Sequence, residues 1–276
     1  MSTIQECLRL DCGGGACDKR SRPIRFVVLG DARTGTTMLR HLLDQHPDVS
    51  CAGELISNDV DTVFGGSRGA RMLPFKRRLL RSSSFKRARV RRYFRSVPRA
   101  RAVGFKALYE QVTPAMRGFL EQRLDRVMLI VREDRVRRAL SLMQAEDTDC
   151  WNIVHSRSET PPSKYPYTAD FERLTRLIGL SEACDREWTA WVNALGPRGL
   201  VMQYEELVQD RVGNLGTALE FLGLEPASAA SLTPETVRLT TPKPLSEVLL
   251  NYDDLLAAAA GTRWAELLTR FEHPLV

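Results

Sequence analysis

The stretch Phe26-Val-Val-Leu-Gly-Asp-Ala-Arg-Thr-Gly-Thr-Thr-Met-Leu39 reads as an apolar strand (Phe26 to Leu29), a turn (Gly30 to Gly35) and a helix opening at Thr36 and Thr37. Leu39, Leu42 and Leu43 continue with helical spacing toward His46-Pro47. Strand, glycine turn and helix is the order of a phosphate loop, where backbone N–H groups and the positive end of a helix cradle an anion. A nucleoside-triphosphate loop would set a lysine where Thr36 stands, with a Ser or Thr beside it for magnesium. That lysine is missing. The cradle therefore suits an anion with less charge than a triphosphate, such as a phosphate or sulfate group.

Outward from this loop, short apolar runs recur at Ala102 to Phe105, Val127 to Val131 and Leu200 to Gln203. Each is continuous rather than alternating, as in strands covered on both faces of a parallel sheet. Helical patterns lie between them. One follows Thr113-Pro114, one runs from Asp134 through Met143, and a long one spans about Thr168 to Leu195. A further helix from about Asn214 to Phe221 ends at Gly223, and C-terminal helices follow Ser246 and Gly261. The alternation predicts an α/β fold, a P-loop-like parallel sheet with helices on both faces. Residues 1–22 read as a flexible leader, and 23–276 as a single domain with a basic insertion at about 59–98. Thr160-Pro-Pro-Ser-Lys-Tyr-Pro166 is a loop placed to cover an acceptor cleft.

Charge is concentrated in one place. Residues 68–101 hold 14 Lys or Arg and no acid, so a chain total of +6 less these 14 leaves −8 for the remainder. In that segment Arg77, Arg78, Arg81, Arg87, Arg91, Arg92 and Arg95 interleave with Leu79, Leu80, Phe85, Tyr93 and Phe94, so part of it fits an amphipathic helix. A solvated face, a nucleic-acid surface and an arm for an anionic acceptor or membrane surface all fit such a run. No run is long enough to span a bilayer, and no secretory signal pattern opens the chain, which predicts a cytoplasmic protein. Six cysteines (Cys7, Cys12, Cys17, Cys51, Cys150 and Cys184) form no C-x-x-C pair, so reduced thiols and no metal are expected.

Six further blocks stand in order after the loop's own Leu42-Leu-Asp-Gln-His-Pro47. They are Gly53-Glu54, Ala102-Val-Gly-Phe-Lys106, Arg126-Val-Met-Leu-Ile-Val-Arg-Glu-Asp134 with Ser141, Tyr204-Glu-Glu-Leu207, Phe221-Leu-Gly-Leu224 and Asn251-Tyr-Asp-Asp-Leu255. With Arg33-Thr-Gly-Thr-Thr37 they resemble the sulfotransferases that use 3′-phosphoadenosine 5′-phosphosulfate (PAPS), among them the tyrosylprotein, bacterial lipopolysaccharide-type and trehalose-type enzymes. The resemblance spans roughly residues 25 to 272 and implies the sulfotransferase fold. It also implies roles. The N–H groups of Thr34, Gly35, Thr36 and Thr37, with the Thr36 and Thr37 hydroxyls, would hold the 5′-phosphate, and Arg33 would reach the phosphosulfate. Arg132 and Ser141 would grip the 3′-phosphate. Glu54 would take the acceptor proton, with His155 the alternative base. Lys106, closing its strand, would stabilise the departing phosphate. Trp151 could stack on the adenine or line the acceptor cleft, and Lys243 could add a late phosphate contact. Arg135, Arg137 and Arg138 are expected to face solvent, with His41 and His46 on a helix face and end.

The implied donor is PAPS, without a metal, and the implied partner a small-molecule or glycan acceptor. Two other classes fit single features of the chain. A lysine-less P-loop kinase or NTPase fits the loop alone, and a nucleic-acid binder, the less favoured partner, fits only the arginine segment.

Overall fold

The computed structural model describes residues 22–58, 81–97, 100–148, 166–233 and 243–275. Its strands are β1 (Ile24–Gly30), β2 (Val49–Glu54), β3 (Ala102–Leu108), β4 (Arg126–Val131) and β5 (Gly199–Gln203). They form one five-stranded sheet in the order β2-β3-β1-β4-β5, parallel throughout. Its helices are α1 (Thr36–Asp44), α2 (Ser83–Ser96), α3 (Pro114–Glu121), α4 (Arg135–Thr148), α5 (Phe171–Ala194), α6 (Tyr204–Gln209), α7 (Arg211–Phe221), α8 (Leu245–Val248), α9 (Tyr252–Ala259) and α10 (Arg263–Arg270).

Alternate strand residues point to opposite faces, and each face is apolar. Phe26, Val28, Met128 and Ile130 pack against Leu39, Leu42 and Leu43 of α1 and Leu215, Ala218 and Leu219 of α7. Val27, Leu29, Phe105 and Leu129 turn the other way, onto Val90 and Phe94 of α2, Met116 and Leu120 of α3, and Trp188 and Val192 of α5. Continuous apolar runs were thus a sound sign of strands covered on both sides. Gly104 is required on the first face, since a Cβ there would lie 2.5 Å from the Phe26 ring. A third apolar cluster ties α4 and α5 to the C-terminal helices through Leu140, Met143, Ile178, Leu245, Leu255 and Phe271. No helix among the described residues is long and apolar enough to cross a membrane.

One finding departs from the pattern. Glu54 ends strand β2, which no apolar run marked, and the pairing of that strand with β3 slips between Ala52 and Glu54. The segment between β2 and β3 was read as a basic insertion that in part fits an amphipathic helix. Its described part contains α2, which lies in the crossover that two parallel neighbours require. Val90 and Phe94 anchor that helix to the sheet, each worth roughly 1.5–3 kcal/mol on burial.

Because β1 has β3 on one side and β4 on the other, chain connections diverge at its carboxyl end. Open α/β sheets bind ligands at such a switch point. The turn from Gly30 to Gly35 lies there.

Candidate active site

The β1–α1 turn is built by close approach. A Cβ on Gly30 would meet Thr34 Oγ1 and Thr36 Cγ2 at 2.6 Å, and one on Gly35 would meet the Tyr204 ring at 2.5 Å. Gly35 has φ 91° and caps α1 without a side-chain bond, so the first N–H groups of that helix open toward the turn. Arg33 is held at φ 67°, alone among the described non-glycine residues. A conformation of this kind costs about 1–3 kcal/mol and persists only where its surroundings enforce it. The surroundings are visible. Asp31 accepts from Ala32 N at 2.7 Å, Thr34 Oγ1 donates to the Asp31 carbonyl at 2.8 Å, and Arg138 donates to the Ala32 carbonyl at 3.0 Å and to the Asp31 carboxylate.

Arg138 was expected in solvent and is instead 4% exposed. Its neighbours follow it inward. Arg137 donates to Lys243 O at 2.6 Å, Glu272 O at 3.0 Å and Phe271 O, and Arg135 lies 3.7 Å from Asp185. Carbonyls and carboxylates from distant segments supply acceptors that no local pattern announces, and a guanidinium with five donors can use several at once. Burial pushes the Asp134 and Asp185 carboxyls above their ordinary range, against the pull of the nearby arginines.

Arg33 Nε donates to Ser141 Oγ at 2.8 Å, and Arg132 Nη1 donates to the Arg33 carbonyl at 3.3 Å. Three side chains assigned to two ends of one nucleotide therefore form one cluster at the head of β4 and α4. Tyr204 and Glu205 support it, although the sequence marked them only as part of a block. The Arg132 guanidinium lies 4.7 Å from the Tyr204 ring centroid, and buried Glu205 accepts from Glu133 N and Asp134 N at 3.1 and 3.0 Å. That carboxylate closes the start of α4.

The second half of the site lies on β2 and β3. The irregularity at Gly53 sets Glu54 opposite Lys106 in register, and a bulge commonly re-aims a side chain beside an active site. Lys106 Nζ lies 2.8 Å from Glu54 Oε1 and donates to Thr37 Oγ1 at 2.9 Å. Gln111, which no motif singled out, donates to Glu54 Oε2 at 2.5 Å. Glu110 is raised in pKa by burial and by the charges of Asp31 and Glu54. His41, one turn past Thr37, is lowered by burial and by Arg40 and Lys106, against the pull of Asp44.

Other expected residues lie elsewhere. His46 is buried at the end of α1 against Ser228, and Lys243 lies 3.7 Å from Glu247. Trp151, His155 and residues 160–165 of the proline loop fall outside the described residues, as do Cys7, Cys12, Cys17 and Cys150.

Comparison with known proteins gives this site a family. The Stf0 sulphotransferase family model matches residues 108–246, and a second model, described as sulfotransferase family, matches residues 23–102. Nodulation protein H of Rhizobium meliloti is 30% identical over 250 residues, covering 88% of this chain and 94% of that protein. The sulfotransferase of Alicyclobacillus acidocaldarius superposes with a TM-score of 0.44 at 19% identity, over 92% of this chain and 96% of that one. The sulfotransferase domain of the Synechococcus PCC 7002 olefin synthase gives 0.46 at 18% identity, over 94% and 98%. Structural likenesses this distant carry no weight beside the sequence matches. Those matches answer the choice left open by a phosphate loop without its lysine, in favour of sulfuryl over phosphoryl transfer: the chain belongs to the sulfotransferase family and is a sulfotransferase.

Proposed function

We propose that the donor is PAPS and the acceptor a hydroxyl of a small molecule or glycan, with Glu54 as the base. The acceptor O–H gives its proton to Glu54 as its oxygen bonds to sulfur in line. The bond from sulfur to the 5′-phosphate oxygen breaks, and 3′-phosphoadenosine 5′-phosphate leaves. Arg33 and Lys106 meet the charge growing on that bridging oxygen. The N–H groups of Thr34 to Thr37, with the Thr36 and Thr37 hydroxyls, hold the 5′-phosphate, and Arg132 with Ser141 holds the 3′-phosphate. The chain fits such a donor because its cradle excludes a Cβ at Gly30 and Gly35 and opens a helix N-terminus. Fixed cations supply the charge balance in this reading.

One observation carries the assignment. The Lys106 ammonium lies within 2.9 Å of both Glu54 and Thr37, so a single cation spans the base and the donor loop. Charge appears between those two groups as the proton and the sulfuryl group move. The arginines of α2, which have no ion pair among the described residues, would offer an approach surface to an anionic or membrane-borne acceptor.

Incubation with sulfur-labelled PAPS and a cell extract, following the molecule that gains the label, tests donor and acceptor together. Glu54→Ala should abolish label transfer while affinity for 3′-phosphoadenosine 5′-phosphate stays near native. Arg132→Ala should weaken that affinity by roughly 10- to 100-fold, the worth of one or two charge-assisted hydrogen bonds. Transfer at the native rate by Glu54→Ala would remove the base.

A further inference from the structure

Gln111 is 4% exposed and closes the single 3-10 turn, Tyr109–Gln111, by which the chain leaves β3. Its side-chain oxygen accepts from Leu108 N at 3.2 Å. A backbone N–H only donates, so the amide has one allowed orientation and its nitrogen must face Glu54. The turn itself is pinned, because Tyr109 stacks on Trp188 with ring centroids 4.9 Å apart and planes 7° from parallel.

Glu54 is thereby gripped at both oxygens, Oε1 by Lys106 and Oε2 by Gln111. The grips differ in kind. Lys106 is shared with Thr37 of the donor loop, whereas the Gln111 nitrogen has Glu54 as its hydrogen-bond partner. The last torsion of a glutamate is broad and nearly two-fold, so a carboxylate held only by a shared cation would rotate.

We propose that Gln111 is a positioning residue for sulfuryl transfer: it fixes the rotation of the Glu54 carboxylate, keeping a lone pair on the acceptor hydroxyl while Lys106 turns to the leaving oxygen. This rests on Glu54 being the base. A neutral donor is suited to the task. A second ammonium would make the carboxylate a poorer base, and a carboxylate would repel it. The charged group in contact with Glu54 is Lys106 of β3; Glu110 of the same turn feels the charges of Glu54 and Asp31, and His41 of α1 that of Lys106.

The test compares Gln111→Glu, Gln111→Met and Glu54→Gln, with sulfur-labelled PAPS and a fixed cell extract as acceptor source. Readouts are kcat and KM for PAPS against pH, melting temperature, and calorimetric affinity for 3′-phosphoadenosine 5′-phosphate. Gln111→Glu keeps both volume and the acceptor for Leu108 N, so a purely structural glutamine predicts it to be the mildest change. Positioning predicts the reverse: Gln111→Glu loses at least about tenfold in kcat, more than Gln111→Met, with nucleotide affinity within about twofold of native. Near-native kcat in Gln111→Glu overturns the proposal. If Glu54→Gln is inactive at the same time, the base assignment survives and only the positioning role falls. If Glu54→Gln turns over at the native rate, both fall.

Discussion

Helix α2 carries Arg87, Arg89, Arg91, Arg92 and Arg95, and helix α4 carries Arg135, Arg137 and Arg138, yet among the described residues only the second set meets carboxylates. Around α4 the fold brings in Asp31 from the β1–α1 turn, Asp185 from α5, Asp134 at the helix start and the carbonyls of Lys243, Phe271 and Glu272. Around α2, Arg87 and Arg89 donate to the carbonyls of Ala115 and Ser57. Arg87, Arg91 and Arg123 gather within 6.0 Å of the Phe119 ring centroid. Burial and the Arg89 charge pull the Lys86 pKa down. Arg87, Arg91 and Arg95, four residues apart, repel one another by about 0.2–0.5 kcal/mol per pair. Arginine count alone says little about a helix; what matters is which acceptors the rest of the chain delivers. Those of α4 reach acceptors delivered from remote segments, whereas Arg91, Arg92 and Arg95 of α2 stay exposed and Arg87 and Arg89 stop at backbone carbonyls.

That contrast breaks most readily at Arg138. Arg138→Met strips the Asp31 carboxylate of its cation and should cost about 3 kcal/mol in urea unfolding, as for a buried pair losing one partner. Turnover should fall with it, because the turn holding Arg33 loses its clamp. A change under about 0.5 kcal/mol, the range of an ordinary surface substitution, would place Arg138 with the α2 set.

A smaller effect sharpens the other end of α4. The Tyr167 hydroxyl at 2.5 Å and the Arg173 guanidinium at 2.7 Å hold the Asp147 carboxyl below its ordinary range. The folded value lies under the unfolded one, so its contribution is present above the usual carboxylate range and is lost as pH falls through the depressed value. Asp147→Asn should flatten that acid-side loss of unfolding free energy, by under about 1 kcal/mol because the pair is exposed, as urea titrations across pH would read.

The smallest effect belongs to α2. Arg92→Gln with Arg95→Gln should leave stability within about 0.5 kcal/mol of native, since no ion pair among the described residues is lost. A loss above about 2 kcal/mol would show that the helix depends on those charges after all.

Much of the fold could be read along the chain. The strands β1, β3, β4 and β5 stood out as continuous apolar runs, and Thr113 does cap α3, accepting from Met116 N at 3.3 Å with proline behind it. β2 escaped notice because Val49-Ser-Cys-Ala-Gly-Glu54 lacks a β-branched run, and an edge strand needs less apolar surface. Of the site, Arg33, Glu54, Lys106, Arg132 and Ser141 were legible as motif members. Gln111 and Arg138 were given no role, and Asp31 and Glu205 stood inside quoted blocks with no role attached, for the work of all four is done by hydrogen bonds across 57 to 107 residues of sequence.

Taken alone, the order of residues determined the lysine-free phosphate loop, the α/β alternation and the family, because each is a pattern of neighbours a few positions apart. Tertiary structure alone decided that Glu54 faces Lys106, that Gln111 holds its second oxygen, and that the α4 arginines turn inward. Those outcomes depend on strand register and on acceptors delivered from remote segments. Local pattern carries neither, since a one-residue slip in pairing would send Glu54 to the opposite face of the sheet.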